Sequence, residues 1–248
     1  MSKTLLVIPH YRDSERLAPF LEELRTTLPD HFSILVSDDG SGETEAHNLQ
    51  RLISKVREKA APGGSTLLDP LMHSPNTGKG GAVRRGWMQG ADYAYLAFAD
   101  ADGAVSAGEI LRADKHMRAE AGGIDALFGS RVKMLGRTIN RSPVRHVSGR
   151  VFATLVSVVA DLTAYDTQCG LKILTQDSFR KVESYMKSYG FAFDVELCLL
   201  LLKTGCRVQE FPLDWRDVPG SKISLLRDSI RMAADVLRIR RRIEAIHF

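Results

Sequence analysis

Two aspartates, Asp100 and Asp102, stand two positions apart directly after an apolar run at residues 93–99. Carboxylate oxygens are the hard ligands that Mg²⁺ or Mn²⁺ prefers, and such a cation in turn bridges the oxygens of a diphosphate. A second acidic pair, Asp38 and Asp39, follows an earlier apolar run. One acidic turn can simply be solvated, but two pairs that each follow an apolar run favour a site for a divalent cation and phosphate.

A glycine-rich segment at residues 76–81, Asn-Thr-Gly-Lys-Gly-Gly, leads into a predicted helix at 82–89. Its backbone N–H groups, Lys79 and the helix N-terminus can cradle phosphate, although an ordinary turn is the alternative. The segment is not a P-loop, because that motif needs glycine at position 73 and Ser or Thr at 80, where His73 and Gly80 stand. The dinucleotide fingerprint is also absent after the first predicted strand, which disfavours NAD.

Two further segments carry charge that suits an acceptor. Residues 131–150 contain six Lys or Arg residues and no acidic one, which indicates either a solvated basic face or guanidinium groups for a phosphate-bearing substrate. Asp194 and Glu196 begin a strongly apolar predicted helix. Acidic residues there favour the helix dipole, or a carboxylate near the crevice orients an acceptor or takes its proton, and both interpretations stay open.

The elements that must position these residues follow from hydrophobic periodicity. An apolar run at residues 3–9, a helical stripe of leucines at 17–28 and a second run at 33–37 predict a strand, a helix and a strand within 40 residues. That order indicates a βαβ unit and a parallel sheet. Ligands of such sheets bind outside the carboxyl ends of the strands, so both aspartate pairs and the glycine-rich segment are expected to converge.

The composition excludes several other classes of protein. The 248 residues are 44% hydrophobic and 26% charged, which is typical of a globular protein with one core. Three cysteines without a CxxC pair fit a reducing compartment and give no zinc signature. No apolar run is long enough for a signal peptide or a membrane span, so we expect a cytoplasmic protein.

The net charge of +4 comes from the C-terminus, because residues 216–248 hold eight Lys or Arg and four Asp or Glu. This distribution disfavours a nucleic-acid partner. A final helix is predicted at 225–243, with one stripe of Leu226, Ile230, Ala233 and Leu237 and another of Arg227, Arg231, Arg238 and Arg242. The helix either packs on the domain with a solvated basic side or lies on an anionic membrane surface.

Eight short strings occur in the order known from one enzyme family: VIPHY at 7–11, SDDGS at 37–41, NTGKGGAVR at 76–84, DADG at 100–103, GSR at 129–131, DTQCGLK at 166–172, FDVEL at 193–197 and VPGSK at 218–222. On these strings the chain resembles the GT-A glycosyltransferases of family 2, and within them the branch that makes polyprenyl-phosphate sugars. The resemblance implies an α/β, Rossmann-like single domain with a mostly parallel central sheet flanked by helices. It places this domain at 1–222 and a basic amphipathic C-terminal helix at 223–248.

The activity that the resemblance implies is an inverting, metal-dependent transfer of a hexose from a nucleotide-diphosphate sugar to an acceptor phosphate. UDP-glucose is the favoured donor, polyprenyl phosphate the expected acceptor and Mg²⁺ or Mn²⁺ the cofactor. The basic stripe of the predicted final helix, rather than the resemblance, adds an anionic membrane surface or membrane protein as a candidate partner, which would place the chain peripherally at the cytoplasmic face of the membrane.

The same resemblance assigns roles to individual residues. The nucleotide would be held by Pro9, Tyr11, Asp39, Lys79, Asp100 and Asp102, with Asp100 and Asp102 also binding the metal. The acceptor phosphate would be held by Arg131, Arg145 and Ser148. Asp102, Asp194, Arg131 and Lys79 would be the catalytic residues, with Asp194 at the position that serves as base when the acceptor is a hydroxyl.

Some residues depart from the family pattern, and other functions stay open. His10 stands where alanine is usual, and Gly103 and Ala104 replace the Leu-Gln of the mannosyl branch, which favours a glucosyl donor. One alternative is a transferase with a sugar-hydroxyl acceptor and Asp194 as base, and another is a non-catalytic sugar-nucleotide-binding subunit. A nucleotidyltransferase is disfavoured, since it needs a Gly/Arg-rich loop after the first strand.

Overall fold

The structure, a computed structural model, describes residues 2–59, 63–132, 136, 138–140, 165–216 and 225–246. The side chains of Asn140 and of residues 225–233 are not part of that description. Arg145, Ser148 and the string at 218–222 lie outside the described residues.

The described elements alternate between strands and helices through the first half of the chain. In order they are β1 Thr4–His10, α1 Ser14–Thr27, β2 Phe32–Asp38, α2 Glu43–Glu58, β3 Thr66–Leu67, β4 Leu71–Met72, α3 Lys79–Trp87, β5 Tyr95–Ala99, α4 Ala107–Ala119, β6 Ala126–Ser130, β7 Ile139–Asn140, β8 Leu171–Thr175, α5 Gln176–Val182, α6 Phe193–Lys203, β9 Val208–Pro212, β10 Trp215–Arg216 and α7 Leu225–Glu244. A single 3₁₀ turn, Glu183–Tyr185, follows α5.

Eight of these strands form one central sheet in the order β3-β2-β1-β5-β8-β6-β9, with β4 also paired to β2. All its pairings are parallel except those of β8, which runs antiparallel to both β5 and β6. A separate pair, β7 with β10, is parallel. The carboxyl ends of β1, β2 and β5 therefore lie along one edge, where the two aspartate pairs follow.

The sheet is buried on both faces, which is why its inner strands are continuous apolar runs. On β1, Leu6 and Ile8 pack into the core under α1, α2 and α4, while Leu5 and Val7 pack into the core under α3, α5 and α6. The C-terminal helix α7 joins this second core through buried Val236, Ile239 and Ile243. Hydrophobic burial on two faces fixes where the strands lie, and with them the points from which the loops at their carboxyl ends begin.

The structure confirms the α/β class, the mostly parallel sheet and the early strands and helices. Sequence reasoning did not predict α4, β8 or α5. The helix after the glycine-rich segment begins at Lys79 rather than near residue 82. The division of the chain at residues 222 and 223 stays a prediction.

The C-terminal helix is confirmed at Leu225–Glu244, but one part of its predicted apolar stripe was wrong. Leu237 is 43% exposed, and Val236 on the adjacent face is buried instead. The inward face is set by contact with α6 at positions 236, 239 and 243, a rotation of one residue from the predicted stripe. Within the described part of the chain, no helix is long and apolar enough to cross a membrane.

Candidate active site

The glycine-rich segment is tied to the end of β2 by one carboxylate. Asp39 accepts hydrogen bonds at Oδ1 from Thr77 N (2.9 Å) and Thr77 Oγ1 (3.0 Å), and at Oδ2 from Gly78 N (2.6 Å). The Asn76 amide donates to the Asp39 carbonyl oxygen at 2.7 Å. Gly78 precedes α3 with φ of +97°, a conformation that glycine adopts without strain. The predicted convergence of the segment with Asp39 is therefore confirmed.

Asp100 is fixed from the other side by the antiparallel strand β8. Its backbone N–H donates to the Gly170 carbonyl oxygen at 3.0 Å. A Cβ atom on Gly170 would collide with the Asp100 carboxylate, so only glycine lets the two chains approach this closely. The order of the strands thus places Gly170, which is 70 residues further along the sequence, against the first aspartate of the pair.

Asp100 is the first of four side chains whose charges alternate in sign along a row of contacts. We call this set the charge row: Asp100, Lys79, Asp194 and Lys172. Lys79 Nζ lies 2.7 Å from Asp100 Oδ1 and 3.8 Å from Asp194 Oδ2. Lys172 Nζ lies 2.6 Å from Asp194 Oδ1 and donates to the Cys169 carbonyl oxygen at 2.5 Å. The Phe98 ring faces both ammonium groups, at 4.8 Å from Lys79 Nζ and 5.2 Å from Lys172 Nζ.

The charges of the row act on one another. Burial by itself lowers the pKa of Lys79, but Asp100 and Asp194 outweigh it and raise that pKa to about 12. Burial raises the pKa of Asp100, yet the Lys79 ammonium dominates and the net pKa is lowered. At neutral pH, Lys79 is therefore a protonated cation and Asp100 an ionised carboxylate.

Asp102 experiences the opposite environment. Burial, followed by the negative charge of Asp100, raises the pKa of its carboxyl group. Its Oδ1 accepts a hydrogen bond from Ala104 N at 3.0 Å, which holds the side chain in the turn. A carboxylate whose ionisation is disfavoured by a neighbouring carboxylate is a group that a positive ion would stabilise.

This chemistry fits a divalent cation. Asp100 and Asp102 offer two carboxylates, and among the residues that the structure describes no cluster of three or more His, Cys, Asp or Glu side chains could hold a metal alone. Mg²⁺ commonly takes only one or two carboxylates and completes its coordination with substrate phosphates and water. The two aspartates therefore suit a cation that arrives with a diphosphate, and Lys79 beside them suits the same anion.

The loop after β1 is anchored by a buried histidine that the sequence marked only as a departure from the family. His10 Nδ1 donates to Asp38 Oδ1 at 2.8 Å, and its Nε2 accepts from Asp13 N at 3.3 Å. Ser41 Oγ also donates to Asp38 Oδ1, at a distance of 2.5 Å. Asp38 thus finds its partners within the protein. Burial raises the pKa of its carboxyl group, but the hydrogen bonds from His10 and Ser41 outweigh burial and lower that pKa.

The same loop presents the predicted nucleoside contacts. Pro9 is partly buried at the end of β1, whereas the Tyr11 ring is 43% exposed and lies under the Arg12 guanidinium at 5.0 Å. An exposed aromatic ring at the crevice can stack on a base. The roles of Pro9, Tyr11 and Asp39 toward a nucleoside stay predictions, and Asp39 already uses both oxygens on the glycine-rich segment.

Arg131 is held by a partner that the sequence analysis did not assign. Its Nε and Nη2 donate to the two oxygens of Asp166 at 2.6 and 2.8 Å, and its guanidinium lies 5.0 Å from the centre of the Trp215 ring. Burial lowers the pKa of Arg131, but Asp166 outweighs it and the net pKa is raised. The guanidinium is thus rigid and permanently charged, as phosphate binding requires. Its predicted role toward an acceptor stays untested, as do those of Arg145 and Ser148.

Lys172, Asp166 and Gly170 are the residues that sequence reasoning quoted in a string but did not place in the site. Lys172 is fully buried within β8, flanked by leucine and isoleucine. A lysine in an apolar run is the available signal, because a buried ammonium requires a carboxylate partner. Its partner, Asp194, follows 22 residues later, so only the tertiary structure identifies the pair.

Comparison with known proteins agrees with this geometry. The family model described as Glycosyl transferase family 2 matches residues 5–182. Dolichyl-phosphate beta-glucosyltransferase from Saccharomyces cerevisiae is 31% identical over 249 residues, covering 95% of this chain and 73% of the yeast protein. The protein of the same name from Dictyostelium discoideum is 29% identical, with 95% and 73% covered.

Solved structures show the same fold at low identity. Glucosyl-3-phosphoglycerate synthase from Mycobacterium tuberculosis, in complex with Mn²⁺, UDP and glucosyl-3-phosphoglycerate, aligns with a TM-score of 0.68. The alignment covers 99% of this chain and 81% of that one, at 10% identity. At this identity the likeness establishes the architecture, and the residues of the site must be argued from their own contacts.

Proposed function

This chain belongs to glycosyl transferase family 2, and from that membership we propose that it transfers glucose from UDP-glucose to a polyprenyl phosphate. The relatives named dolichyl-phosphate beta-glucosyltransferase support the lipid-phosphate acceptor and the glucosyl group. The structural relative with UDP and Mn²⁺ supports the nucleotide. The single observation that carries the proposal is the placement of Asp100, Asp102 and Lys79 at one edge of the sheet, next to the glycine-rich segment.

The site is organised around the charge of a departing diphosphate. A divalent cation held by Asp100 and Asp102 would supply positive charge against that leaving group. Lys79 adds a protonated ammonium, and α3 begins at Lys79, so the positive end of its dipole lies beside that ammonium. Fixed positive groups of this kind stabilise charge that develops in the transition state without reorganising at the moment of reaction.

The burial and contacts of Asp194 favour a phosphate acceptor. The side chain is 3% exposed, and its two oxygens face the Lys172 and Lys79 ammonium groups. A carboxylate held between two cations is better placed to orient them than to take a proton from an acceptor. A phosphate monoester is already anionic at neutral pH and needs orientation more than deprotonation, so the reaction proceeds without a dedicated base. We propose a single displacement with inversion at the anomeric carbon.

The acceptor side of the crevice is proposed to include Arg131, Arg145 and Ser148. Arg131 stands at the end of β6, with its guanidinium braced by Asp166 and Trp215. Because a polyprenyl phosphate resides in a bilayer, we also propose that the chain acts at a membrane surface. The exposed arginines of α7, such as Arg238 and Arg241, favour an anionic surface over a neutral one.

The test is a transfer assay with purified protein, UDP-glucose and a polyprenyl phosphate in detergent, with MnCl₂ or MgCl₂. The expected product is an organic-extractable polyprenyl-phosphate β-glucose that forms only with the metal present. GDP-mannose in place of UDP-glucose is the donor control, and a polyprenol without phosphate is the acceptor control. A product with the polyprenol, or equal turnover with GDP-mannose, would contradict the proposal.

The two alternative functions give different results in the same assay. A transferase with a hydroxyl acceptor would lose all activity in Asp194→Asn, whereas the phosphate reaction retains turnover at saturating metal because no base is needed. A non-catalytic binding subunit would bind UDP with Mn²⁺ in calorimetry but form no product with any acceptor. Neither alternative accounts for the buried pairing of Asp194 with Lys172 as directly as the phosphate reaction does.

A further inference from the structure

Lys79 has two carboxylate partners at unequal distances, and this inequality is informative. Its Nζ is 2.7 Å from Asp100 Oδ1, a direct ion pair, and 3.8 Å from Asp194 Oδ2, at the limit of one. The ammonium therefore pairs with Asp100, and a shift of about 1 Å would bring it into direct contact with the Asp194 carboxylate as well. A lysine side chain has four rotatable bonds and holds its charge as a point, so such a shift needs no movement of the backbone.

Asp100 is also one of the two aspartates that suit a divalent cation. Its Oδ1 is already occupied by Lys79, and a cation bound to the same carboxylate would face that ammonium at close range. Two cations at one carboxylate repel each other, and at short range inside a protein this repulsion is strong. Lys79 and the metal are thus competitors for Asp100, although both serve the same diphosphate.

We infer that Lys79 is a transferable counter-ion: it neutralises Asp100 before the metal binds and moves to Asp194 when the metal takes its place. This inference rests on the proposed function, since it concerns the metal-binding step of the same site. Asp194 is then a positioning residue that acts through Lys79, and it touches neither donor nor acceptor. Asp100 keeps a cationic partner at both stages, and Lys79 keeps a carboxylate partner, because it exchanges Asp100 for Asp194.

Lys172 completes the arrangement by holding the Asp194 side chain in place through a direct contact. Lys172 is fully buried and is fixed by the Cys169 carbonyl oxygen and by the Phe98 and Phe128 rings. Its ammonium lies 2.6 Å from Asp194 Oδ1, so the buried carboxylate and the buried ammonium are paired with each other. The row therefore has one fixed end at Lys172 and one end at Asp100 that faces the crevice.

The first test measures Mn²⁺ alone, by electron paramagnetic resonance of the free ion, without nucleotide. Lys79→Met removes the competitor, and we expect Mn²⁺ to bind at least about tenfold more tightly than to the wild type. If Lys79 instead serves only to hold Asp100 in place, the same variant binds Mn²⁺ equally or less tightly. Lys203→Met, the same substitution at the exposed end of α6, controls for the loss of one charge and should leave the affinity unchanged.

The second test asks whether Asp194 acts through Lys79. In Asp194→Asn, Lys79 loses its second partner and stays at Asp100, so Mn²⁺ should bind several-fold more weakly. In Lys79→Met/Asp194→Asn the second substitution should have no effect on Mn²⁺ affinity beyond that of Lys79→Met, which is complete non-additivity in a double-mutant cycle. Equal effects of Asp194→Asn with and without Lys79 would overturn the inference.

Asp194→Asn leaves the buried Lys172 without its carboxylate, and we expect the variant to be destabilised for that reason. Asp194→Asn/Lys172→Met removes both charges together and serves as the folded replacement, with the same expected weakening of Mn²⁺ binding. The inference and the proposed function also fail differently. Wild type that binds Mn²⁺ neither alone nor with UDP would refute both, whereas normal Mn²⁺–UDP binding with no gain in Lys79→Met would refute the inference alone.

Discussion

Buried charge is concentrated at both ends of the central sheet, and the two clusters are built differently. At the amino ends of β1 and β5, Asp114 accepts from Thr4 Oγ1 (2.9 Å), His31 Nε2 (3.0 Å) and Arg118 Nε (2.7 Å). Arg118 also donates to Thr4 Oγ1 and to the Ser2 carbonyl oxygen. These three groups satisfy the one carboxylate of this amino-end cluster, and Asp114 is 1% exposed.

The charge row at the carboxyl ends is incomplete by comparison. Lys172 and Asp194, at its inner end, are buried. Asp100, at its outer end, is 30% exposed and stands next to Asp102, whose ionisation is disfavoured. The amino-end cluster satisfies its charges internally and stabilises the fold. The charge row is neutral by itself, because it pairs two carboxylates with two ammonium groups, but Asp102 beside it adds a negative charge that an incoming cation would neutralise. The disfavoured ionisation of Asp102 costs stability, and this cost fits the proposed binding of a cation.

The largest effect should come from changing Asp102, which stands beside the outer end of the charge row. Asp102→Asn removes a carboxylate that is proposed to bind the metal, and we expect turnover in the polyprenyl-phosphate assay to fall about 10³-fold or more. Because the wild-type carboxylate is ionised at a cost, the variant should unfold at an equal or slightly higher temperature. Asp92→Asn, at an exposed position, is the matched control. Retained turnover in Asp102→Asn would remove this residue from the mechanism.

Breaking the amino-end cluster should give the reverse result. Asp114→Asn leaves the Arg118 guanidinium and the His31 ring without their buried carboxylate, and we expect a loss of about 2–4 kcal/mol in the free energy of unfolding. Turnover per folded molecule should stay within about twofold of wild type well below the melting temperature. Urea unfolding monitored by circular dichroism gives the first quantity. A variant that is stable but inactive would show that the two clusters are not separate in function.

The sequence predicted the residues of the charge row better than their pairing. Asp100, Asp102 and Lys79 were located because parallel strands that are buried on both faces are apolar runs, and the residues after them meet at one edge. Strand β8 was missed because Lys172 interrupts its short apolar run, and its partner Asp194 is on a different element. A pairing across elements depends on the tertiary structure, which hydrophobic periodicity does not encode.

The amino-end cluster was missed altogether for a similar reason. Thr4, His31 and Asp114 are ordinary polar residues at the beginning of a strand, in a loop and on a helix, respectively. Helix α4, which carries Asp114 and Arg118, was itself not predicted, since charged residues interrupt its apolar positions. Its N-cap, Ser106, which accepts from Glu109 N, is the signal that sequence reasoning could have used.

Arg131 offers a test of whether a buried pair next to the crevice belongs to stability or to binding. Burial raises the pKa of Asp166, but Arg131 outweighs burial and lowers it. Arg131→Ala therefore leaves the Asp166 carboxylate without its partner, so this variant alone does not separate an effect on stability from an effect on binding. Arg131→Ala/Asp166→Asn removes both charges, and it should recover most of the lost stability. We expect the double variant to raise the KM for polyprenyl phosphate about 10–100-fold with an unchanged Kd for UDP, because Arg131 is proposed to hold the acceptor.

The same experiment has a clear contrary outcome. A folded double variant with a normal KM for the acceptor would place Arg131 and Asp166 with the amino-end cluster, as a pair that only stabilises the fold. A raised Kd for UDP with a normal acceptor KM would instead move Arg131 to the donor side. The steady-state assay and calorimetry with UDP separate these results.

The smallest expected effect concerns pH and distinguishes the two clusters without any activity measurement. The pKa of Asp102 is raised in the folded protein, so its neutral form is favoured there and folding stability decreases as pH rises through that folded pKa. Asp102→Asn lacks this ionisation. The melting temperature of the variant should therefore exceed that of wild type by about 1–3 °C near pH 7, and the difference should disappear below about pH 4, where wild-type Asp102 is protonated in both states.

Asp114→Asn, measured alongside, is the reference from the amino-end cluster, where the substitution removes the carboxylate that Thr4, His31 and Arg118 contact. Differential scanning fluorimetry in matched buffers measures both profiles. If the Asp102→Asn difference were constant with pH, or largest at low pH, the wild-type carboxylate would not be costing stability at neutral pH. The charge row would then be internally satisfied like the amino-end cluster, and the electrostatic reason for placing a cation at Asp100 and Asp102 would be lost.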